Sequence, residues 1–295
     1  MPGPRTLVAA PPTRVQTHTL HGAAARPAQG ERWTSGIVWD SPLCGTTGGV
    51  LLPGCDPYEI TEGEGEEATT SPVKVPTVDF TGGVYDPIVV WAAGRCSTFG
   101  DRARVAESVR AALLIDRHRQ LEHEFWTGTL AQEDGNDNPY LAKEGTVDEL
   151  HDGDPTPLAY ALADLQQAIA DCAPGGRGMI HATVRTVALW QLLGMVRVDG
   201  TSLVDVFGNL IVPGVGYDGS APGGVVDTTG RTAWAYATGI VVAAFGSDLE
   251  LDAVDRDVNS TEVVIEEIAG AWFDECCLTG VNVDLCNTEC SGTGS

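Results

Sequence analysis

Gly214-Val215-Gly216-Tyr217-Asp218-Gly219 spells the GxGxxG pattern that can hold a dinucleotide pyrophosphate. That chemistry needs a strand running into the first glycine and a helix opening right after the last, so that helix N–H groups face the phosphates. Pro213 stands where the strand should continue, and Ser220-Ala221-Pro222-Gly223-Gly224 cannot open a helix. The motif therefore reads as a turn-rich loop. Asp134, Asn136 and Asn138 have the spacing that begins a calcium loop. Its glycine position holds Pro139, however, and its final glutamate position holds Gly145. Cys276, Cys277, Cys286 and Cys290 could gather around zinc with His118 or His123. Structural zinc sites space their ligands in two compact knuckles, and only Cys286 and Cys290 have that spacing. His118 and His123 do not share one helix face. No HExxH and no nucleophile elbow occurs. The carboxylate pairs Glu66-Glu67 and Glu266-Glu267 are adjacent residues, which a strand turns to opposite faces. No catalytic residue, metal ligand or cofactor is expected, and the chain does not read as an enzyme.

Composition narrows the classes further. The 295 residues are 43% hydrophobic and 20% charged, which suits one or two globular domains. The net charge is −24, and Lys74 and Lys143 are the only lysines, so the surface as a whole repels nucleic acid. Two segments run against that balance. Residues 1–33 carry Arg5, Arg14, Arg26 and Arg32 against the single acid Glu31, which makes these arginines candidates for contact with DNA or an acidic protein. Residues 101–124 carry Arg102, Arg104, Arg110, Arg117 and Arg119, for which ion pairs with nearby carboxylates are the expectation. The longest apolar run, 240–245, is too short to span a bilayer, and the N-terminus has no apolar core of signal-peptide type. A protein made in the cytoplasm, without a membrane partner, is expected.

The elements that must position these residues follow from periodicity. Residues 1–35 are rich in Pro, Ala, Thr and Gly and show no period. A glycine-rich patch follows at 44–49, then an acidic, turn-rich tract with Glu62, Glu64, Glu66 and Glu67, then the alternating stretches Val73-Lys74-Val75 and Val78-Asp79-Phe80. Ile88-Val89-Val90-Trp91 reads as a short buried strand, and Thr98 to Asp101 as a capping box. Behind it Val105, Val109, Leu113, Leu121 and Phe125 mark one face of a helix about 40 Å long, with Leu114 and Ile115 at its border and Gly128 as its stop. Residues 133–155 read as a polar loop. Thr156 and Pro157 read as the cap and first position of a helix that buries Leu158, Leu162, Leu165 and Ile169. A core strand at Met179-Ile180, a helix over 183–193 and a hairpin of 203–207 with 210–212 follow. Trp234, Tyr236 and Thr238 alternate with small residues, and 240–245 reads as a strand buried on both faces. Strand patterns return at 263–265, 271–273 and 281–283. The class is α+β.

Phe125-Trp126-Thr127-Gly128, the helix from Leu158, Gly178-Met179-Ile180-His181-Ala182, the loop Pro213 to Gly219 and the strand Trp234-Ala235-Tyr236-Ala237-Thr238-Gly239 come in an order that resembles one family. It is that of the major capsid proteins of tailed bacteriophages, the HK97-like shell fold, above all those of phages of actinobacteria. The resemblance covers about 37–285. It implies an N-terminal arm (1–45), an extended β-hairpin loop region (46–90), a P-domain (91–155) with a spine helix at about 99–127, an A-domain (156–250), and return strands of the P-domain with a C-terminal tail (251–295).

The same resemblance implies a structural function. Many copies would form hexamers and pentamers that close an icosahedral shell around double-stranded DNA, as a virion capsid made in the host cytoplasm. Partners would be the chain itself, a portal, a separate scaffolding protein, a decoration protein and the packaged DNA. The arginines at 5, 14, 26 and 32 would touch scaffold or DNA. The loop with Glu62, Glu64, Glu66, Glu67 and Lys74 would reach over a neighbouring subunit. Some members of the family join such a lysine to an asparagine. Asn259, Asn282 and Asn287 are conceivable acceptors here, beside the plainer reading of Lys74 as a surface lysine. A particle that leaves the cell meets oxidising conditions, so Cys44, Cys55, Cys276, Cys277, Cys286 and Cys290 are candidates for disulfides, with pairing left open and buried free thiols as the alternative. Two other classes share parts of the pattern: an encapsulin-type nanocompartment shell, and a cysteine- or zinc-dependent enzyme.

Overall fold

The computed structural model describes residues 18–27, 33–40, 82–97, 102–172, 176–255 and 259–286. α1 (Leu20–Ala23) is a single turn capped by Thr19, whose hydroxyl accepts from the Gly22 N–H. β1 (Ile37–Asp40) pairs antiparallel with β2 (Gly82–Tyr85), with Ile37 opposite Tyr85 and Asp40 opposite Gly82. Residues 41–81 therefore start and end at this ribbon, and they lie outside the described residues.

β3 (Ile88–Ser97) leads towards α2 (Arg102–Thr127). α2 buries Val109, Leu113, Leu121 and Phe125, as their spacing requires, and leaves Leu114 and Ile115 exposed. It stops at Gly128, which is left-handed (φ 59°) and donates its N–H to the Glu124 carbonyl. A side chain at this position would overlap the Tyr140 ring. The chain turns at once into α3 (Thr129–Asp134), whose leading N–H groups at Leu130 and Ala131 are accepted by the Glu124 carboxylate. Then come β4 (Asp148–Glu149), β5 (Thr156–Pro157), α4 (Leu158–Cys172), β6 (Met179–Thr183), α5 (Val184–Leu192), β7 (Arg197–Asp199), β8 (Ser202–Val204), β9 (Leu210–Gly214), β10 (Thr232–Thr238), β11 (Val242–Asp255), β12 (Ser260–Trp272) and β13 (Thr279–Asp284).

Beside the β1–β2 ribbon, the described residues form two sheets. The larger has eight strands in the order β4-β13-β10-β6-β9-β8-β7, with β5 also on β13; the smaller is β11-β12-β3. Both faces of the larger sheet are covered, and β10 shows how. Trp234 and Tyr236 enter one core with Phe125, Trp126 and Met179, while Ala233, Ala235 and Ala237 enter another with Leu162, Leu165 and Ile169 of α4. Alanines on that face let the helix approach closely. The smaller sheet is one-sided. α2 lies on β3 and β12, where Val263, Ile265 and Ala269 are buried, and the opposite face carries the half-open Val264, Glu266 and Ile268.

The α+β mixture is as expected, with several local corrections. Thr156 and Pro157 do not start α4; they pair in parallel with Val283 and Asp284, and the helix begins at Leu158. The polar loop over 133–155 contains the end of α3 and the strand β4. The strand at Ile88 is longer than four residues and has one open face, on which Val89 and Trp91 are exposed. β9 runs through Pro213, because the parallel partner Ala182 does not require its missing N–H. Ile240 precedes its strand and is exposed, and β11 extends far beyond 245. The patterns at 263–265 and 271–273 belong to one strand, β12. β11 belongs to the smaller sheet along its length, and β13 belongs to the larger sheet. The capping box at 98–101 lies outside the described residues.

Candidate functional site

The end of β9 and the loop after it carry the GxGxxG residues, and Gly214 and Gly216 serve packing. No helix follows it. Gly216 is pressed on the backbone of α2: a Cβ there would stand 2.3 Å from the Arg119 carbonyl oxygen and 2.5 Å from the His123 nitrogen. At Gly214 a Cβ would overlap the Tyr217 ring. The N–H groups of Val215 and Gly216 do meet an anion, but it is the chain's own. Both donate to Glu122 Oε2 (2.8 and 3.2 Å), and Leu20 N–H donates to Oε1 (2.8 Å). Glu122 is 1% exposed. Burial pushes its carboxyl up to about 7, against the opposing pull of those three N–H donors. One carboxylate thus ties α1, α2 and the loop together. Sequence reading passed over it, although His118, Glu122, Phe125 and Trp126 share one helical face.

A buried polar relay lies next to it. The Thr238 hydroxyl donates to the Gly239 carbonyl, so its oxygen accepts from His181 Nε2 (3.0 Å), and His181 Nδ1 then accepts from the Tyr217 hydroxyl (3.0 Å). Burial lowers His181 to about 3, so the ring stays neutral. Burial, and secondarily the Glu122 charge, raises Tyr217 well above its ordinary value. Trp126 Nε1 donates to Ser220 Oγ, and the Tyr236 hydroxyl donates to the Ser220 carbonyl (both 2.9 Å). Every one of these groups is answered by another group of the fold, which is the pattern of a lock between helix, loop and sheet.

The sequence-predicted residues scatter. Arg26 donates to the Ala243 carbonyl (3.0 Å), and Ala25 bonds Val241 and Ala243, so 25–26 lie along β11. Arg5, Arg14 and Arg32 lie outside the described residues, as do Glu62, Glu64, Glu66, Glu67 and Lys74. Four of the five helix arginines are ion-paired: Arg102 with Glu250 and Asp252, Arg110 with Asp248 and Glu250, Arg119 with Asp116, and Arg117 with the buried Glu267 at 2.9 Å. Cys277 is joined to Cys172, whose Cα is 5.6 Å away and which sequence reading gave no role. Cys276 and Cys286 are disulfide-bonded as well, and Cys44, Cys55 and Cys290 lie outside the described residues. Among the described residues no group of three or more His, Cys, Asp or Glu is placed to hold a metal. His118 packs on His21 and Phe245, and His123 faces the Gly216 carbonyl. Asn282 donates to the Gly153 carbonyl, and Asn287 lies outside the described residues. No described helix is long and apolar enough to cross a membrane.

What the fold offers outward is apolar surface. Leu192, Leu193, Val206 and Phe207 are exposed where α5 and the β8–β9 turn meet the start of β7, and Phe207 is 75% exposed. Trp91, Leu249 and Leu251 are exposed on the open face of the smaller sheet.

This architecture is an HK97-type capsid fold, and solved structures carry that assignment. The capsid of an empty GTA particle, computed with C5 symmetry, is matched over 96% of this chain and 95% of that chain, with TM-score 0.56 and 12% identity. The structure titled Mycobacterium phage Che8 is matched over 95% and 96%, with TM-score 0.52 and 10% identity. The capsid of Ralstonia phage GP4 is matched over 95% of both chains, with TM-score 0.52 and 11% identity. No family model matches the sequence, and no curated protein does.

Proposed function

We propose that the chain is the major capsid protein of a tailed bacteriophage, assembling as pentamers and hexamers into an icosahedral shell around double-stranded DNA. The observation that carries this reading is the match over 95% or more of the chain with the capsid chains of a GTA particle and of Ralstonia phage GP4. The interior supports it. Glu122, His181 and Tyr217, whose titration burial shifts, are each hydrogen-bonded within the core. In this reading α2 with β11-β12-β3 is the P-domain, and the larger sheet with α4 and α5 is the A-domain. Residues 1–45 are the arm, and 46–90 the extended-loop region. Arg5, Arg14 and Arg32 contact scaffold or DNA, while Arg26 anchors the arm. The acidic balance keeps packaged DNA from adhering to the wall. A portal, a scaffolding protein and a decoration protein complete the partners, and the work of the chain is structural.

The test is the content of the particles. Sedimented particles from a host that produces this chain with the other phage proteins should hold nuclease-protected double-stranded DNA. Particles filled with a cargo protein and free of DNA would favour a nanocompartment shell instead.

A further inference from the structure

The chain crosses from the smaller sheet to the larger between β12 and β13. Phe273 and Leu278 bracket the crossing, and each is 2% exposed. Between them Glu275–Cys277 forms a single 3-10 turn. It is closed by Cys277 N–H on the Asp274 carbonyl (3.3 Å) and Leu278 N–H on the Glu275 carbonyl (3.0 Å). One such turn does not fix its own position. Three side-chain tethers do so, each from a different part of the fold. Trp39 Nε1 of β1 donates to Asp274 Oδ1 (2.7 Å). Lys143 Nζ donates to Glu275 Oε1 (2.7 Å). Cys172, the last residue of α4, is bonded to Cys277, with Cα atoms 5.6 Å apart. Cys276 carries a disulfide as well. The Trp39 tether leads to the β1–β2 ribbon. A Cβ on Gly83 of β2 would overlap the Trp39 ring, so the indole lies over β2 as it reaches Asp274.

We propose that the Cys172–Cys277 bond is a redox clasp that fixes the β1–β2 ribbon through the turn between them. While the bond is closed, the turn is fastened to α4, whose Leu162, Leu165 and Ile169 are set in the core of the larger sheet. Asp274 is then presented to Trp39 at a fixed point. Reduction breaks the S–S bond and leaves two thiols. The two electrons and two protons come from two small-molecule thiols, which leave as their disulfide. Cys172 is half-buried, so such a thiol reaches the bond. Once the clasp is open, the Asp274 end of the turn is free to shift. A displacement of about 1 Å takes a 2.7 Å hydrogen bond out of its range. A ribbon of two strands is marginal by itself, so loss of this tether loosens it. Exchange with a small-molecule disulfide closes the clasp again. A thiol-rich cytoplasm therefore keeps the ribbon loose, and an oxidising exterior tightens it. The clasp is independent of the capsid reading.

Hydrogen exchange read by mass spectrometry on the unassembled full chain tests this, with the ribbon amides at 37–40 and 82–85 as the readout. Dithiothreitol should speed their exchange about fivefold or more, the lower end of an ordinary coupling between sites. Oxidised glutathione should slow it again. Exchange in β12 over 260–266 should stay constant, which separates local release from global unfolding. The double variant Cys172→Ser with Cys277→Ser, kept under oxidising conditions so that the other disulfides stay closed, should match the reduced wild type. Trp39→Phe keeps a ring and removes the indole N–H, so its ribbon should exchange fast in both redox states. Equal ribbon exchange in the oxidised and reduced wild type, or a rise shared by every strand, would overturn the inference. So would a double variant that behaves like the oxidised wild type, or a Trp39→Phe ribbon that still responds to dithiothreitol.

Discussion

Replacing Gly216 by alanine puts a methyl carbon where two backbone atoms of α2 already stand, 2.3 Å from the Arg119 carbonyl oxygen and 2.5 Å from the His123 nitrogen. Neither atom belongs to a side chain that could rotate away, so the loop must retreat. Overpacking of this kind costs about 1–3 kcal/mol. Retreat also stretches the two N–H bonds from Val215 and Gly216 to the buried Glu122, and hydrogen bonds to a charged group contribute roughly 1.5–3 kcal/mol each. A total of about 4 kcal/mol is expected once partial relaxation is allowed, which in a chain of this size lowers Tm by about 10 °C. The assay is thermal and urea unfolding of the unassembled protein followed by circular dichroism. Gly135→Ala is the control. Its φ is +68° and nothing lies within 4 Å of the added atom, so only backbone strain of about 1–2 kcal/mol applies. If Gly216→Ala falls within 1 kcal/mol or so of wild type, the packing account of the glycine loop is wrong.

Other consequences can be measured on the same material. Cys277→Ser opens a link between residues 105 apart, and loop-closure entropy predicts a loss of about 3–5 kcal/mol, read as a lower urea midpoint under non-reducing conditions. Glu122 binds its proton more tightly folded than unfolded, because burial holds it at about 7. Its contribution to stability is therefore full below the unfolded value of about 4.5 and is lost as pH rises towards 7. Glu122→Gln should flatten that part of the pH–stability curve, and an unchanged slope would contradict the assignment. Phe207→Ser removes an exposed ring, so Tm should hold while assembly yield falls; a lower Tm with normal assembly would refute its role as a contact residue.

The sequence was most legible where structure is local. The stripes of α2 and α4, the stop at Gly128 and the alternation of β10 follow from periods of 3.6 and 2, and the fold carries them out directly. Strand lengths were less legible. Asp248, Glu250 and Asp252 make β11 look like a surface tract, but they alternate with Leu249 and Leu251 and are answered by Arg102 and Arg110 of α2. Pairings distant in sequence were not legible at all. Nothing local joins Cys172 to Cys277, or brings Leu20 to Glu122, 102 residues later. Glu122 itself left a trace, an acid on the apolar stripe of a helix, which signals a buried and fully bonded carboxylate. The GxGxxG loop was rightly read as a turn, and its physical reason, closeness to α2, needed the fold.

The central claim is self-assembly into a closed shell, and electron microscopy of the gently purified native protein tests it most directly. The account predicts closed icosahedral particles, or rings of five and six subunits that close when scaffold is supplied. A uniform monomer or dimer that stays so with scaffold present would contradict it.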